Sequence, residues 1–351
     1  MLIFYLAVFL IPMLVIRKRK KEDKNILNPY STTCLKGLIC LYVMLHNIGL
    51  DYEGNSEIME LVCEHTGGVG VGIFFFLSAF GIFRSYQAKG NKYLGRLILV
   101  HSLKLFLIAT FINILTYLVY FKGQFEPLDL FLRIFNLDVF NDFNRMNRHG
   151  WYIPTIIGLY LIFALVFFIC SKFKTSKKFL IAGFIVAFLS IAFRVGANIA
   201  DKGGMYTREM PCFAIGCLYA MFYDKINAFF NKFFWPSFAI LFVAFQLGFF
   251  LYEPIGAYAS CLFIILVSQR ITYNNKILHF LGKICIYLYL FVHFSQITMQ
   301  PFINNQYWWT LTNVGLILLL SLLLYLIEHL ITKGIKLIKE RKNKKTKSSL
   351  V

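Results

Sequence analysis

Long apolar runs follow one another along almost the whole chain, separated by short breaks that hold most of its charged residues. A helix needs about 20 mainly apolar residues to cross roughly 30 Å of hydrocarbon. Runs of this kind predict helices at roughly 1–16, 33–50, 68–86, 93–120, 151–171, 179–198, 210–223, 233–252, 255–270, 283–303 and 309–333. No soluble domain is interposed, and no repeating unit marks a solenoid. The expected fold class is all-α: a polytopic transmembrane helical bundle of about 10–11 spanning helices.

Composition agrees with that pattern. Hydrophobic residues make up 58% of the chain and charged ones 15%, against about 25% charge in ordinary soluble domains. Mean hydropathy is +0.65. The 39 phenylalanines and 20 tyrosines suit lipid contact and interfacial belts. A net charge of +19 would suit nucleic acid if it gathered on one soluble face. Instead most of the 36 Lys and Arg fall in alternate loops, starting with Arg17-Lys18-Arg19-Lys20-Lys21. That is the positive-inside signature. It sets the N-terminus outside and the C-terminus in the cytoplasm, and it argues against nucleic acid as a partner. The bilayer is the expected surrounding.

The segment 1–16 is expected to be a retained helix, because its basic run follows the apolar stretch, unlike the order in a cleaved signal. One integral-membrane domain is expected over 1–333, with that extra helix before a core at 31–333. A basic cytoplasmic tail follows at 334–351, where Lys342, Lys344, Lys345 and Lys347 favour anionic lipid. The longest non-spanning stretch, 120–150, carries Leu128, Phe131, Leu132 and Phe135 at helical spacing. It reads as a segment along the membrane surface, or as a solvated spacer. The 8 cysteines form no Cys-x-x-Cys pair and no metal-ligand spacing.

Ionisable groups inside apolar helices cost about 2.5–3.5 kcal/mol each on insertion scales, so each needs a reason. Lys36 and His46 share the second helix, about 15 Å apart along its axis. Lys36 either snorkels to the cytoplasmic face or serves a ligand. His46, toward the outer half, is either a hydrogen-bonded core histidine or a base, since imidazole titrates near neutrality. Gly67, Gly68, Gly70 and Gly72 open the third helix, which allows either close helix packing or the approach of a ligand. Ser78 lacks the Gly-x-Ser-x-Gly turn of a nucleophile elbow. Arg84, Lys89, Lys92, Arg96 and Lys104 gather near one membrane face with His101. They suit a phosphate-rich cytoplasmic molecule, or express the positive-inside bias alone. His149-Gly150-Trp151-Tyr152 marks the outer start of the fifth helix, with Trp151 and Tyr152 as candidate interfacial anchors. His293 repeats the Lys-to-His spacing from Lys283. Arg194 has Asp201 or Glu209 as candidate partners, and Glu328 and His329 have each other or nearby lysines.

Taken in order, Ser31-Thr32…Leu35-Lys36-Gly37…His46, Val71…Phe74-Phe75-Phe76-Leu77-Ser78, His149-Gly150-Trp151-Tyr152-Ile153-Pro154 and Leu281-Gly282-Lys283…Tyr287-Leu288-Tyr289…His293 resemble the membrane-bound acyltransferase 3 family. Bacterial members of that family often O-acetylate surface polysaccharides. The chain departs from the usual pattern at Lys36, where arginine is common, at Ala79, where glycine is common, and at Lys92 with Arg96, where an arginine pair is common. The resemblance implies an O-acetyltransferase of the bacterial cytoplasmic membrane and cell envelope, taking acetyl-CoA or another acyl-CoA as donor substrate. No permanently bound cofactor and no metal are expected. The acceptor would be a cell-surface glycan or lipid-linked sugar. His46 would be the catalytic base or a transient acyl carrier. Lys36, Arg84, Lys92, Arg96 and Lys104 would bind the donor. His149, Trp151 and Tyr152 would bind the acceptor, and Gly68, Gly70, Gly72, Ser78 and His293 would support the site.

Export is the competing class, because glycine-broken helices and intramembrane charge also mark transporters. An exporter of a polysaccharide or lipid-linked sugar needs a continuous polar path and commonly two corresponding halves. The chain has few polar intramembrane residues and no evident halves.

Overall fold

The computed structural model describes residues 16–19, 26–50, 57–121, 127–135, 150–199, 207–251, 253–303 and 305–348. The expected helix at 1–16 therefore lies almost wholly outside the described residues. Every later helix predicted from the sequence is present. They are α1 (Pro29–Leu50), α2 (Glu57–Lys89), α3 (Lys92–Arg96), α4 (Leu103–Phe121), α5 (Pro127–Ile134), α6 (Tyr152–Ser171) and α7 (Lys178–Ile199), followed by α8 (Met210–Met221), α9 (Tyr223–Lys232), α10 (Phe234–Leu251), α11 (Glu253–Val267), α12 (Lys276–Met299) and α13 (Gln306–Ser348).

Six of the described helices are long and apolar enough to cross a membrane, or up to seven if α9 and α10 are taken as one bent span. That is fewer than the ten or eleven expected, for three physical reasons. Segment 1–16 is outside the described residues. The helices α8 and α11 are short, at 12 and 15 residues. And α1, which carries Lys36, His46 and Asn47, is shielded by its neighbours, so lipid does not dictate its composition. Between α8 and α10, where hydropathy predicts a loop, the chain forms α9. It joins α10 at a bend of 98°. Its charged Asp224, Lys225 and Lys232 face away from buried Asn227 and Phe230, the pattern of an interfacial helix. The last helix continues past 333 to Ser348.

Two helices form the centre. The span Thr66–Lys89 of α2 is 78% buried, whereas Trp308–Gly334 of α13 is 11% buried. So α2 is a hub, packed on α1, α8 and α11, while α13 stands at the periphery against α12. The other central helix, α1, runs parallel to α12. Cys34 Sγ donates to the carbonyl of Asn275 (3.4 Å), Cys40 Sγ to that of Cys285 (3.2 Å), and Gln296 Nε2 to that of Asn47 (2.8 Å). Lipid tails are as apolar as leucine, so helices in a bilayer associate through close packing instead of the hydrophobic effect. Glycine supplies that closeness. A Cβ on Gly37 would lie 2.1 Å from the carbonyl oxygen of Leu278, and one on Gly282 would lie 1.9 Å from that of Thr33.

One end of the bundle is tied by short polar devices. Strand β1 (Ile16–Lys18) pairs antiparallel with β2 (Ile271–Tyr273), in register Ile16↔Tyr273, Arg17↔Thr272 and Lys18↔Ile271. Arg19 donates from its guanidinium to the carbonyl of Ser268 (3.1 Å). The hydroxyls of Ser31 and Thr272 share a hydrogen bond of 2.9 Å. Asn275 caps α12 by accepting from the backbone of Ile277 and Leu278 (2.8 and 3.0 Å). Burial pushes the Tyr273 phenol up to about 12, so it stays neutral at this junction. In the segment expected along the membrane surface, α5 exposes Leu128 and Phe131, and Phe135 just after it is exposed too. Its far end is held to α4 by Thr110 and Asn113, which donate to the carbonyls of Ile134 (2.7 Å) and Arg133 (3.3 Å).

Replacing Gly282 by Ala forces α1 and α12 apart. An overpacked core typically loses about 1–3 kcal/mol, so the apparent unfolding temperature of the purified protein in detergent falls by several degrees. Gly158→Ala, where no atom lies within 4 Å of the added methyl, leaves that temperature unchanged or raises it, because alanine favours helix over glycine.

Candidate functional site

At the end of the bundle that carries β1 and β2, basic residues from four segments converge on His101. Lys36 of α1, Lys89 of α2, Arg96 of α3 and Lys104 of α4 all lie close enough for their charges to act on its ring. His101 belongs to a π-helical stretch, Leu97–Ser102, that joins α3 to α4. The Ser102 hydroxyl donates to the carbonyl of Leu97 there (3.1 Å). Such wide turns insert an extra residue and recur at functional sites. Tyr93 lies beside the histidine, ring centres 6.2 Å apart, with Lys89 Nζ 5.8 Å from the Tyr93 ring centre. Lys104 bonds Glu328 at 2.5 Å, and the Tyr287 hydroxyl donates to the same carboxylate. Glu328 thus has a lysine partner, one of the two pairings the sequence left open.

One expected donor ligand has partners of its own. Arg84 turns to α9, with its guanidinium 5.0 Å from the ring centre of Tyr223 and a hydrogen bond of 3.0 Å to Gln87. Lys92 is exposed at the first residue of α3.

His46 is half-buried on α1, and its imidazole rests on α2. A Cβ on Gly67 would lie 2.1 Å from His46 Nε2 and 2.3 Å from Cδ2. Gly70 would likewise meet Val43, and Gly72 would meet Cys212 and Ala257. The glycine run therefore divides its duties. Gly67 and Gly70 admit α1, Gly72 admits α8 and α11, and Gly68 is buried in the same turn. Ten residues at 100° each turn His46 about 80° around α1 from Lys36, so the two do not stack. Lys36 is directed to Cys285 and His101, and His46 to the glycines. His293 occupies α12 at the level of His46, since Cys285 faces Cys40 and Gln296 faces Asn47.

A seam of hydroxyls lies between these two places. Ser78 reaches the phenols of both Tyr152 and Tyr160, and Tyr160 is near Tyr93. Tyr152 packs on Phe75 (5.0 Å) and on Tyr289 (5.8 Å). Trp151 was expected to anchor at an interface. It is buried instead, 7% exposed, with its ring 6.4 Å from Phe75. His149 lies outside the described residues.

The seam leads on to Glu209, which the sequence reading weighed only as a partner for Arg194. It is fully buried at the cap of α8, acts on Tyr289 and Cys212, and pairs with Arg208. The Arg208 carbonyl in turn accepts from Tyr258 (2.8 Å). The local signal was present in Glu209-Met210-Pro211, an acidic residue before a proline-started helix, a favourable place for negative charge. Among the described residues no three His, Cys, Asp or Glu side chains converge as metal ligands.

Comparison with known proteins bears on this arrangement at the level of the whole domain. No curated protein and no solved structure matches the chain. The family profile described as "Acyltransferase domain" (Acyl_transf_3) matches residues 30–328, from the second residue of α1 to Glu328 beside Lys104. The chain is a multi-pass membrane protein with an acyltransferase domain, and it belongs to the membrane acyltransferase 3 family.

Proposed function

We propose that the protein moves an acetyl or other short acyl group from cytoplasmic acyl-CoA to a hydroxyl of an extracytoplasmic polysaccharide or lipid-linked sugar, in a bacterial cell membrane. The observation that carries this reading is the placement of two sites along one helix. The charges of Lys36, Lys89, Arg96 and Lys104 all reach the exposed His101 at the basic end. His46 sits on Gly67 farther along α1, about 15 Å from Lys36. The basic end is taken as cytoplasmic from the positive-inside bias. Guanidinium and ammonium groups there suit the phosphates of a coenzyme A donor, with Arg able to bind them in bidentate fashion. The extended arm of that donor would follow the hydroxyl seam and bring its thioester to the level of His46. Tyr152, packed against Tyr289, would line the acceptor side of the same space.

As a base, His46 would take the proton of the acceptor hydroxyl while its oxygen attacks the thioester carbonyl. The carbon–sulfur bond then breaks, the thiolate leaves, and the imidazolium returns its proton to that sulfur. If His46 instead carries the acyl group, its nitrogen attacks the thioester carbonyl, the carbon–sulfur bond breaks and the thiolate leaves with the ring's proton. The acceptor oxygen then attacks the acyl carbon, the carbon–nitrogen bond breaks, and the freed imidazole takes the hydroxyl proton. Rapid-quench trapping of an acylated protein separates the two routes.

Positioned general bases contribute about 10²–10⁴-fold, so His46→Ala lowers kcat by at least about 100-fold. Calorimetry should still show acetyl-CoA binding, and full turnover by that variant would remove His46 from the chemistry. Gly67→Ala pushes the imidazole from its seat and lowers kcat by about 100-fold, the scale of an ångström's misplacement, with donor binding retained. Charge-assisted hydrogen bonds contribute about 1.5–3 kcal/mol. Lys36→Gln and Arg96→Gln therefore each raise the KM for acetyl-CoA about tenfold, with a smaller effect on kcat, and added salt weakens binding by the wild type. A pure exporter would consume no acyl-CoA at all, which makes acyl-CoA consumption by the purified protein the first assay.

A further inference from the structure

A cavity of about 610 Å³ lies on the side of α1 away from α12, between α1, α2, α10 and α11, and is partly open. Strands β1 and β2 bound it at the basic end through Ile16, Ile271 and Tyr273. Its α1 wall is Leu35, Leu38, Ile39 and Tyr42, and its α11 wall includes Phe263, Ile264 and Val267. At 100° per residue, Leu35, Ile39, Tyr42 and His46 fall within a sector of about 60° on α1. The cavity therefore runs along the helix face that ends at the histidine. Gly70, part of the α2 wall, is one turn from Gly67, the seat of the imidazole.

The lining is graded. Side chains at the basic end are apolar except for Tyr273, while Thr66 and Gln246 bring a hydroxyl and an amide to the end near His46, with Tyr42 and Ser260 between. At that end Gly248 and Gly256 bring α10 and α11 into backbone contact. A molecule matched to this gradient carries its polar head at His46 and a hydrocarbon tail toward the basic end. That is the orientation of a lipid in the outer leaflet, given the charge bias that sets the basic end inside.

A long acyl chain on the donor fits less well. Its reacting carbon would stand at His46 and its tail would have to fold back along α1 toward the end from which the donor came.

We infer that this cavity holds the hydrocarbon chain of a lipid-linked sugar, so that the acceptor is lipid-borne when it is acylated. The inference rests on the acyltransferase reading and narrows its acceptor class. The chain lies along Leu35, Ile39 and Tyr42, and the sugar hydroxyl stands at His46.

The test uses the full-length protein in nanodiscs of phosphatidylethanolamine and phosphatidylglycerol, with a long polyprenyl phosphate bearing a photoreactive diazirine in its chain. Labelled peptides should map to α1, α2 and α11, and a short-chain prenyl phosphate should fail to compete. Val267→Trp on one wall and Val69→Phe on the other should each reduce labelling about tenfold, the equivalent of about 1.4 kcal/mol. Slow hydrolysis of acetyl-CoA should continue at the wild-type rate in both variants.

Labelling that ignores both substitutions, or that palmitoyl-CoA abolishes, overturns the inference. So does a photoreactive residue at Val267 that crosslinks to residues 1–15 of the same chain. If the wild type fails to consume acetyl-CoA, the acyltransferase reading falls. If it consumes acetyl-CoA while labelling ignores the cavity, only the assignment of the cavity falls.

Discussion

The structure depends on how closely α1 can approach its two neighbours without side chains between them. On one side Gly37 and Gly282 bring α1 and α12 to backbone contact, and on the other Gly67 and Gly70 seat α1 against α2. In hydrocarbon such packing is the main attraction between helices. It also makes the central pair intolerant of a single added methyl. The same closeness sets the chemistry, because the surface that accepts the His46 imidazole is the bare backbone at Gly67. The candidate histidine and a structural glycine are here two halves of one contact.

Charge follows from this packing. Once α1 is fixed against α12, Lys36 lies near Cys285 and His101, and the π-helical stretch Leu97–Ser102 carries His101 among basic residues from α2, α3 and α4. Like charges brought together repel and raise the local potential, which favours an anionic ligand. Glu328 offsets one of them through Lys104 and is itself fixed by Tyr287. At the far end of the hydroxyl seam, buried Glu209 is paired with Arg208, so its charge is compensated where it enters the apolar interior.

Several candidate residues stand out in the sequence because their chemistry conflicts with their surroundings. Lys36 and His46 stand out in an apolar run, and Arg96 and Lys104 flank the start of another. Others were not legible. Arg84 reads as a member of the same basic group, but its ring partner Tyr223 opens α9, a helix whose charged face disguises it as a loop. Trp151 reads as an interfacial anchor, yet Phe75 on a distant helix buries it. Glu209 reads only as a candidate partner for Arg194, and the packing around α8 makes it a buried carboxylate.

Sequence by itself determined the membrane class, the helices from α1 onward, the family and the identity of the reactive histidine candidate. Each follows from one-dimensional quantities: run length against bilayer thickness, the cost of a charge in hydrocarbon, and the order of motifs. Tertiary structure alone decided which glycine holds His46, which cations meet at His101, and where an apolar cavity opens beside α1. Rotation about each helix axis settles those pairings. In a chain so uniformly apolar, hydropathy carries almost no information about which face a neighbouring helix will take, and close packing makes that choice.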